Sequence, residues 1–359
     1  SWQTLVNHIL IFGQPGSGKT SCVLTSMLEG MIGAGANLRL QPGGLFLDPK
    51  GDFLPRLRTL CRKYDREEDL LVIDPSVPDR SIRWNPFDCA DDELELAARF
   101  IAVMENLGMK GGDSTFWIDA ARKFIRHAIA LVRQTNPPAE PPTFRDIQRL
   151  ATSLRAIDAR LSQVEPSDTR SAECLHFFQN DWGELEDETR TSIAAHLTNM
   201  IDPFLMDPYV DLFGGRSTCR IDDMVEHGKI VYLHMPLGGK EMMARTIGVL
   251  LKLEYFSEVK RRTLTKVRPT FFFCDEFQTF FTAADDCSDA DFFDKSRQAR
   301  HGNLIASQNL PNLRKYCDRP DVLSSLLGLC LTKIFLQNSE PETNHYASNL
   351  FGQHLVSIG

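Results

Sequence analysis

The stretch that decides the fold is HILIFGQPGSGKTSCV, which occupies residues 8–23. It opens with four apolar residues, 9–12, which predict a buried strand. Residues 13–20, GQPGSGKT, then match the pattern G-x-x-x-x-G-K-[ST] without a mismatch. The pattern predicts a strand, a phosphate-binding loop and the start of a helix.

Residues 13–20 combine several features that suit phosphate binding. Gly16 and Gly18 have no Cβ, so the backbone can turn and aim several N–H groups at one point. A helix beginning near Lys19 adds the positive end of its dipole. We expect Lys19 to reach the β- and γ-phosphates of ATP and the Thr20 hydroxyl to hold Mg²⁺. The candidate ATP-binding residues are Gly13, Gln14, Pro15, Gly16, Ser17, Gly18, Lys19, Thr20 and Ser21. The alternative is a strand-to-helix loop that contains three glycines by chance.

Length and composition set broad limits. The 359 residues predict two domains, or one large α/β domain with an insertion. A net charge of −8 argues against a protein coated in basic surface, although a local basic stripe stays compatible with it. The nine cysteines are odd in number and form no C-x-x-C pair, which argues against a disulfide framework or zinc site and favours a reducing, cytosolic compartment.

The order of apolar runs predicts an α/β fold with a mostly parallel sheet and an inserted all-α domain. Strand-like runs and helical stripes alternate up to about residue 85, strand-like runs then disappear, and they return after residue 213. We therefore predict a first part of the nucleotide-binding domain (1–90), an all-α insertion (91–213) and a second part (214–359). The strands beyond the first are expected at 44–48, 70–74, 229–234, 270–274, 303–307 and 332–336.

Polar residues follow two of these strands. Asp275 and Glu276 end the run 270–274, and Gln308 follows the run 303–307. We expect Asp275 to bind Mg²⁺ directly or through a water, and Glu276 to orient and polarise the water that attacks the γ-phosphate. Gln308 would sense the γ-phosphate or hold that water. Many strands end in acids, so these roles depend on the phosphate-binding loop upstream.

Two further segments leave alternatives open. Residues 48–51, DPKG, suit a type I turn, but a strand end in an α/β sheet is also where ligands bind. Arg297 and Arg300 are expected one helical turn apart on a shared face. Arg297 is the candidate for an arginine that stabilises charge on a neighbouring subunit's phosphate. A surface arginine in a salt bridge is the alternative.

Two charged runs are expected to be solvated. Residues 260–262, KRR, are interpreted as a helix end favoured by the helix dipole. The acidic run lacks the spacing of a calcium-binding loop. We interpret it as a solvated loop formed by Asp285, Asp286, Asp289, Asp291 and Asp294.

Six segments, in this order, resemble the type IV secretion coupling proteins, the TraG/TraD-like conjugative DNA-transfer ATPases of bacteria. They are HILIFGQPGSGKTS, LFLDPKGDF, WNPF, FFFCDEF, SRQARHGNLIASQNL and TKIFLQNSEPET. The resemblance covers most of the chain and is weakest between residues 91 and 213. The DPKGD block, the R-x-x-R-H-G segment and the closing strand and helix make it more specific than the phosphate-binding loop alone.

The resemblance implies a RecA-like fold and a hexameric ring that pumps single-stranded DNA, with ATP and Mg²⁺ as cofactors. Its partners would be relaxase-bound DNA or effector proteins and other components of the secretion channel. Lys19 and Thr20 would take the phosphate and magnesium roles, Asp275 and Glu276 the metal and water roles, Gln308 the sensor role and Arg297 the inter-subunit role. Anchoring at the cytoplasmic face of the bacterial inner membrane is expected through segments absent from this sequence, which fits its abrupt start.

The sequence departs from the pattern of this family in three ways, and two other functions are possible interpretations. The membrane segments are missing, the helical segment is acidic, and the sequence ends early. One rival is an FtsK-like or HerA-like DNA translocase. The other is a nucleotide-switched adaptor that recruits substrates and hydrolyses little ATP.

Overall fold

A computed structural model describes residues 7–34, 40–109, 114–262, 268–317 and 319–352. Its seven strands form one sheet, and every strand pairing in it is parallel. The strands are β1 (Ile9–Phe12), β2 (Gly43–Leu47), β3 (Leu70–Ile73), β4 (Ile230–Leu233), β5 (Thr270–Cys274), β6 (His301–Ser307) and β7 (Thr332–Phe335). Their order across the sheet is β3-β4-β2-β5-β6-β1-β7, so β1 lies between β6 and β7.

Helices connect these strands and cover the sheet. A π-helical segment, Lys19–Leu24, follows the first loop and continues directly into α1. The α-helices are α1 (Thr25–Ile32), α2 (Leu54–Lys63), α3 (Glu93–Asn106), α4 (Ser114–Thr135), α5 (Phe144–Thr152), α6 (Leu154–Leu161), α7 (Thr169–His176), α8 (Asp187–Ile201), α9 (Tyr209–Phe213), α10 (Ile221–His227), α11 (Glu241–Arg261), α12 (Asp289–Ser296), α13 (Leu310–Lys315), α14 (Pro320–Leu329) and α15 (Pro341–Phe351). Among the described residues, no helix has both the length and the apolar character that crossing a membrane requires.

The sheet has a hydrophobic core on each face, because successive side chains of a strand point to opposite sides. Ile9 and Ile11 of β1 belong to a smaller core that includes residues of α1 and α2. Leu10 and Phe12 belong to the larger core on the other face. Both faces are therefore covered, as expected for a parallel sheet whose strands are nearly continuous apolar runs.

Between residues 91 and 213, the described residues form helices and turns and contain no strand. Their apolar side chains join the larger core of the sheet, and α3 packs against α11. The expected parallel sheet and the helical insertion between β3 and β4 are confirmed. The domain boundaries at residues 90 and 213 stay a prediction.

The structure corrects the interpretation of both charged runs. Asp289 is fully buried and begins α12, where its Oδ1 lies 2.6 Å from Nζ of the equally buried Lys252. A buried ammonium needs a counter-charge, and residues far along the chain can supply it. Asp285 and Asp286 are exposed, as expected. At the end of α11, Arg261 pairs with Asp91 and Glu95, so this helix end is tied to α3 rather than free in solvent.

Candidate nucleotide-binding site

The candidate site lies at the edge of the sheet where the strands end. The strands are parallel, so the segments that follow β1, β2, β5 and β6 emerge at this same edge. Ligands of open α/β sheets bind outside the carboxyl ends of the strands. Each predicted site residue except Arg297 follows one of these strand ends.

The loop after β1 depends on its glycines. Gly16 and Gly18 have φ values of 81° and 83°, in the left-handed region that other residues rarely adopt. A Cβ at Gly13 would lie 2.5 Å from Ser17 Oγ, so a larger residue would collide with the loop. Ser17 Oγ is buried and has no hydrogen-bond partner among the described residues. An orphaned hydroxyl between such glycines fits a phosphate oxygen as its missing partner.

The segment after β7 holds this loop from the other side. The Gln14 N–H donates to the Gln337 carbonyl at 3.1 Å, and the Ser339 N–H donates to Gln14 Oε1, also at 3.1 Å. Glu340 then caps α15 by accepting from the N–H groups of Glu342 and Thr343. Residues 337–340, QNSE, thus position the phosphate-binding loop. The sequence analysis had used them only as part of the family resemblance.

Lys19 begins the helix after the loop and contacts the two acids that follow β5. Its Nζ lies 3.3 Å from Asp275 Oδ1 and 3.5 Å from Glu276 Oε1, and its side chain is only 6% exposed. Thr20, the predicted magnesium ligand, follows it in the first helical turn. Oxygen donors from Thr20 and Asp275 are the kind that Mg²⁺ prefers, and the residues present fit that ion.

Glu276 is held in an unusual backbone conformation. Its φ and ψ are 47° and 50°, in the left-handed region, which costs a non-glycine residue about 1–3 kcal/mol. Its Oε2 accepts from Gln278 Nε2 at 2.8 Å, and Gln308 Nε2 lies 3.2 and 3.3 Å from its two oxygens. The fold therefore brings Gln308, which was expected to sense the γ-phosphate or hold the attacking water, beside the acid that was expected to orient that water.

Lys50 is a residue of the site that the sequence analysis did not assign. Its Nζ lies 2.6 Å from Glu276 Oε1. The turn expected at residues 48–51 is present, because the Gly51 N–H donates to the Asp48 carbonyl at 3.2 Å, and it carries Lys50 to the acids. Ligand binding at this strand end stays a prediction. The signal in the sequence was a lysine three residues after the end of β2, which pairs with β5.

The charges around the two acids act differently on each carboxyl. Burial raises the pKa of Asp275, an effect that the charge of Lys19 reduces but does not cancel. Burial also acts to raise the pKa of Glu276. The charge of Lys19 and the hydrogen bonds from Lys50 and Gln278 outweigh it and hold that pKa at about 2. Glu276 is thus ionised at any physiological pH, with a carboxylate well supplied with donors.

Arg297 lies away from these residues. It starts a short 3₁₀ turn, Arg297–Ala299, just before β6, and its guanidinium donates to Asn7 Oδ1 at 3.2 Å. The seven residues of β6 separate this turn from Gln308 by roughly 20 Å. The expected helix face shared by Arg297 and Arg300 is wrong, because the turn ends at Arg300, whose φ is 53°. Arg297 thus lies at the sheet edge opposite its own phosphate-binding loop.

The chain was compared with protein families and with solved structures. A family model described as the type IV secretion-system coupling protein DNA-binding domain matches residues 1–358. The plasmid coupling protein TrwB with the GTP analogue GDPNP has a TM-score of 0.68 and 15% identity over 98% of this chain and 75% of that chain. TrwB with the ATP analogue ADPNP has a TM-score of 0.69 and 15% identity over 96% of this chain and 74% of that chain. VirB4 of Thermoanaerobacter pseudethanolicus has a TM-score of 0.60 and 12% identity over 96% of this chain and 81% of that chain.

No curated protein sequence matches. At such low identities the structural likeness shows the fold, which is that of a RecA-like P-loop NTPase. The family follows from the sequence match, which spans nearly the whole chain. This chain belongs to the type IV secretion-system coupling proteins.

Proposed function

We propose that this chain is the ATP-hydrolysing motor domain of a type IV secretion coupling protein. The observation that carries the proposal is the contact of Lys19 with Asp275 and Glu276, beside the glycine-rich loop. A bound triphosphate requires positive charge, which the buried Lys19 provides. Its metal requires negative ligands, which the two acids provide. TrwB has been solved in complex with GDPNP and with ADPNP, which supports nucleotide binding by this chain.

The chemistry is phosphoryl transfer from ATP to water. The N–H groups of residues 13–20 hold the phosphates, and Lys19 exchanges its acid partners for the β- and γ-phosphate oxygens. Glu276 and Gln308 orient a water in line with the γ-phosphorus. The oxygen of that water bonds to phosphorus, the bond to the β-phosphate oxygen breaks, a proton of the water passes to a γ-phosphate oxygen, and ADP and inorganic phosphate leave.

Positioning matters more here than basicity. In the structure without nucleotide, the charge of Lys19 and the donors around Glu276 hold its pKa at about 2, which makes this carboxylate a weak base there. Phosphoryl transfer passes through a loose transition state, so an ordered water and stabilised charge supply most of the rate. Thr20 and Asp275 would hold Mg²⁺, which supplies charge stabilisation to the phosphate oxygens.

The proposed assembly is a homo-hexamer in which each ATP lies at a subunit boundary. Arg297 would serve the neighbouring subunit, a role supported by its distance from the loop of its own chain. Hydrolysis would translocate relaxase-bound single-stranded DNA, effector proteins or both towards other components of the secretion channel. The protein would work at the cytoplasmic face of the bacterial inner membrane, with anchoring segments outside this sequence.

Two rival functions lead to different measurements. The family match disfavours an FtsK-like or HerA-like translocase, and the adaptor rival predicts nucleotide binding with almost no turnover. We would measure ATP hydrolysis with and without single-stranded DNA at one stated salt concentration, since phosphate contacts weaken with salt. The measurement needs a protein long enough to assemble into the oligomer, because a monomer lacks the arginine of a neighbouring subunit. DNA-stimulated turnover in the assembled protein supports the motor, whereas tight ATP binding without turnover supports the adaptor.

A further inference from the structure

Lys50 and Glu276 form an ion pair across two neighbouring strands, with 2.6 Å between Nζ and Oε1. They are 226 positions apart in sequence and meet because β2 pairs with β5. The nucleotide-binding roles described above include Glu276 but leave Lys50 without one.

The backbone that carries Lys50 is tightly fixed. The Asp48 carboxylate accepts hydrogen bonds from the N–H groups of Lys50 at 3.0 Å and Phe53 at 2.9 Å, and from the Tyr232 hydroxyl at 2.8 Å. Asp48 is buried. The turn therefore presents Lys50 from a rigid base, while the end of its side chain stays partly exposed.

Four donors surround the Glu276 carboxylate, and they differ in what they do when ATP binds. Lys19 has to leave the acids to reach the phosphates. Gln278 and Gln308 remain, but both are neutral. Once Lys19 moves, Lys50 is the cation among these donors that still faces Glu276.

We propose that Lys50 is the positioning residue that holds Glu276 in place through the catalytic cycle. The inference rests on the proposed ATPase function. With ATP bound, Asp275, Glu276 and the γ-phosphate bring several negative charges close together. An ammonium at Oε1 offsets their repulsion and leaves lone pairs of the carboxylate free for the attacking water. Lys50 acts through Glu276 and not on the phosphates.

The test compares Lys50→Met, which keeps the length and removes the charge, with Lys50→Arg, which keeps the charge. Lys63→Met is the matched control, because it breaks an exposed ion pair between Lys63 of α2 and Glu29 of α1. We would measure kcat and KM for ATP at one fixed pH for all variants. Lys50→Gln replaces the Met variant if that variant does not fold.

We expect Lys50→Met to lower kcat about 10- to 100-fold while KM changes less than about twofold. Lys50→Arg should recover most of the rate, and Lys63→Met should match the wild type. An unchanged kcat in Lys50→Met would overturn the inference, as would a raised KM with unchanged kcat.

A second measurement does not depend on ATPase activity. Urea unfolding of Lys50→Met, Glu276→Gln and the double variant gives the coupling between the two side chains. We expect the effects of the two single substitutions on the unfolding equilibrium constant to depart from additivity by about tenfold. Additive effects would overturn the inference. Absence of turnover in the assembled wild-type protein would refute the proposed function instead, and the coupling would then decide alone whether Lys50 positions Glu276.

Discussion

The ammonium of Lys19 lies 3.3 Å from the carboxylate of Asp275, although the two residues are far apart in the sequence. The contact arises because β1 and β5 both border β6, so the segments that follow them emerge at the same edge of the sheet. In the proposed mechanism, nucleotide binding has to separate an ion pair that exists without the nucleotide. Lys19 would then exchange the acids for the phosphates.

Replacing Lys19 by Ala should stop turnover. The variant loses the cation that stabilises charge on the phosphates, and removal of one such donor costs about 10²- to 10³-fold in rate. Circular dichroism should show an intact fold, since Lys19 lies at the edge of the sheet and not in either hydrophobic core. ATP hydrolysis is the measurement, and normal activity would remove Lys19 from the mechanism.

Arg297 should act on a neighbouring subunit. Arg297→Ala alone is expected to lose about 10³-fold or more in turnover, the range found for arginines that stabilise phosphoryl transfer. Mixing it with Lys19→Ala should restore part of the activity, because some boundaries then combine an intact loop with an intact arginine. Lys295→Ala, a nearby exposed lysine paired with Asp291, is the control. No recovery on mixing would contradict action across the boundary.

The buried pair of Lys252 and Asp289 should contribute strongly to stability. Asp289→Asn leaves the Lys252 ammonium without its counter-charge, which costs about 3–5 kcal/mol of unfolding free energy at a buried site. The double variant Lys252→Met/Asp289→Asn should recover part of that loss, because no charge then remains buried. Urea unfolding measures both, with Lys295→Met as the exposed control, expected within about 0.5 kcal/mol of wild type. A loss below about 1 kcal/mol in Asp289→Asn would contradict the pairing.

Acidification should destabilise the fold through buried histidines. His8 is fully buried, its Nε2 lies 2.8 Å from the Phe293 carbonyl oxygen, and burial lowers its pKa from 6.5 to about 4. The unfolded chain takes up a proton at His8 that the folded protein excludes, so the unfolding free energy falls as pH drops from about 6.5 to about 4. Above pH 6.5 this contribution is constant.

The histidine prediction is checked by urea unfolding at pH 7, 6 and 5. His8→Gln should be less stable at pH 7 but lose less between pH 7 and pH 5 than the wild type. The exposed His345→Gln serves as the control and should keep the wild-type slope. A wild-type slope in His8→Gln would show that His8 takes up its proton equally well in the folded protein.

Local patterns in the sequence were sufficient for the strands and for the loop at residues 13–20. The buried strands are uninterrupted apolar runs, and a glycine-rich turn with Lys and Thr has few other uses. Asp275 and Gln308 were recognised because they directly follow such runs. In each of these cases the signal lies within a few residues of the feature that it predicts.

The errors and omissions involve partners that are distant in sequence. The pairing of Lys50 with Glu276 depends on β2 lying beside β5, and the burial of Asp289 depends on Lys252 of α11. Arg300 was expected to continue a helix, but the chain must turn there to enter β6, and no local pattern marks that turn. Strand order and ion pairing follow from tertiary packing, which residue spacing does not encode.

The most direct test is a structure of the assembled protein with ADPNP and Mg²⁺. We expect the triphosphate against the backbone of residues 13–20, Lys19 moved from Asp275 to the phosphates, the metal beside Asp275, and Arg297 of the partner subunit at the boundary. A nucleotide bound elsewhere, or a Lys19 still paired with the acids beside a bound triphosphate, would contradict the proposed motor.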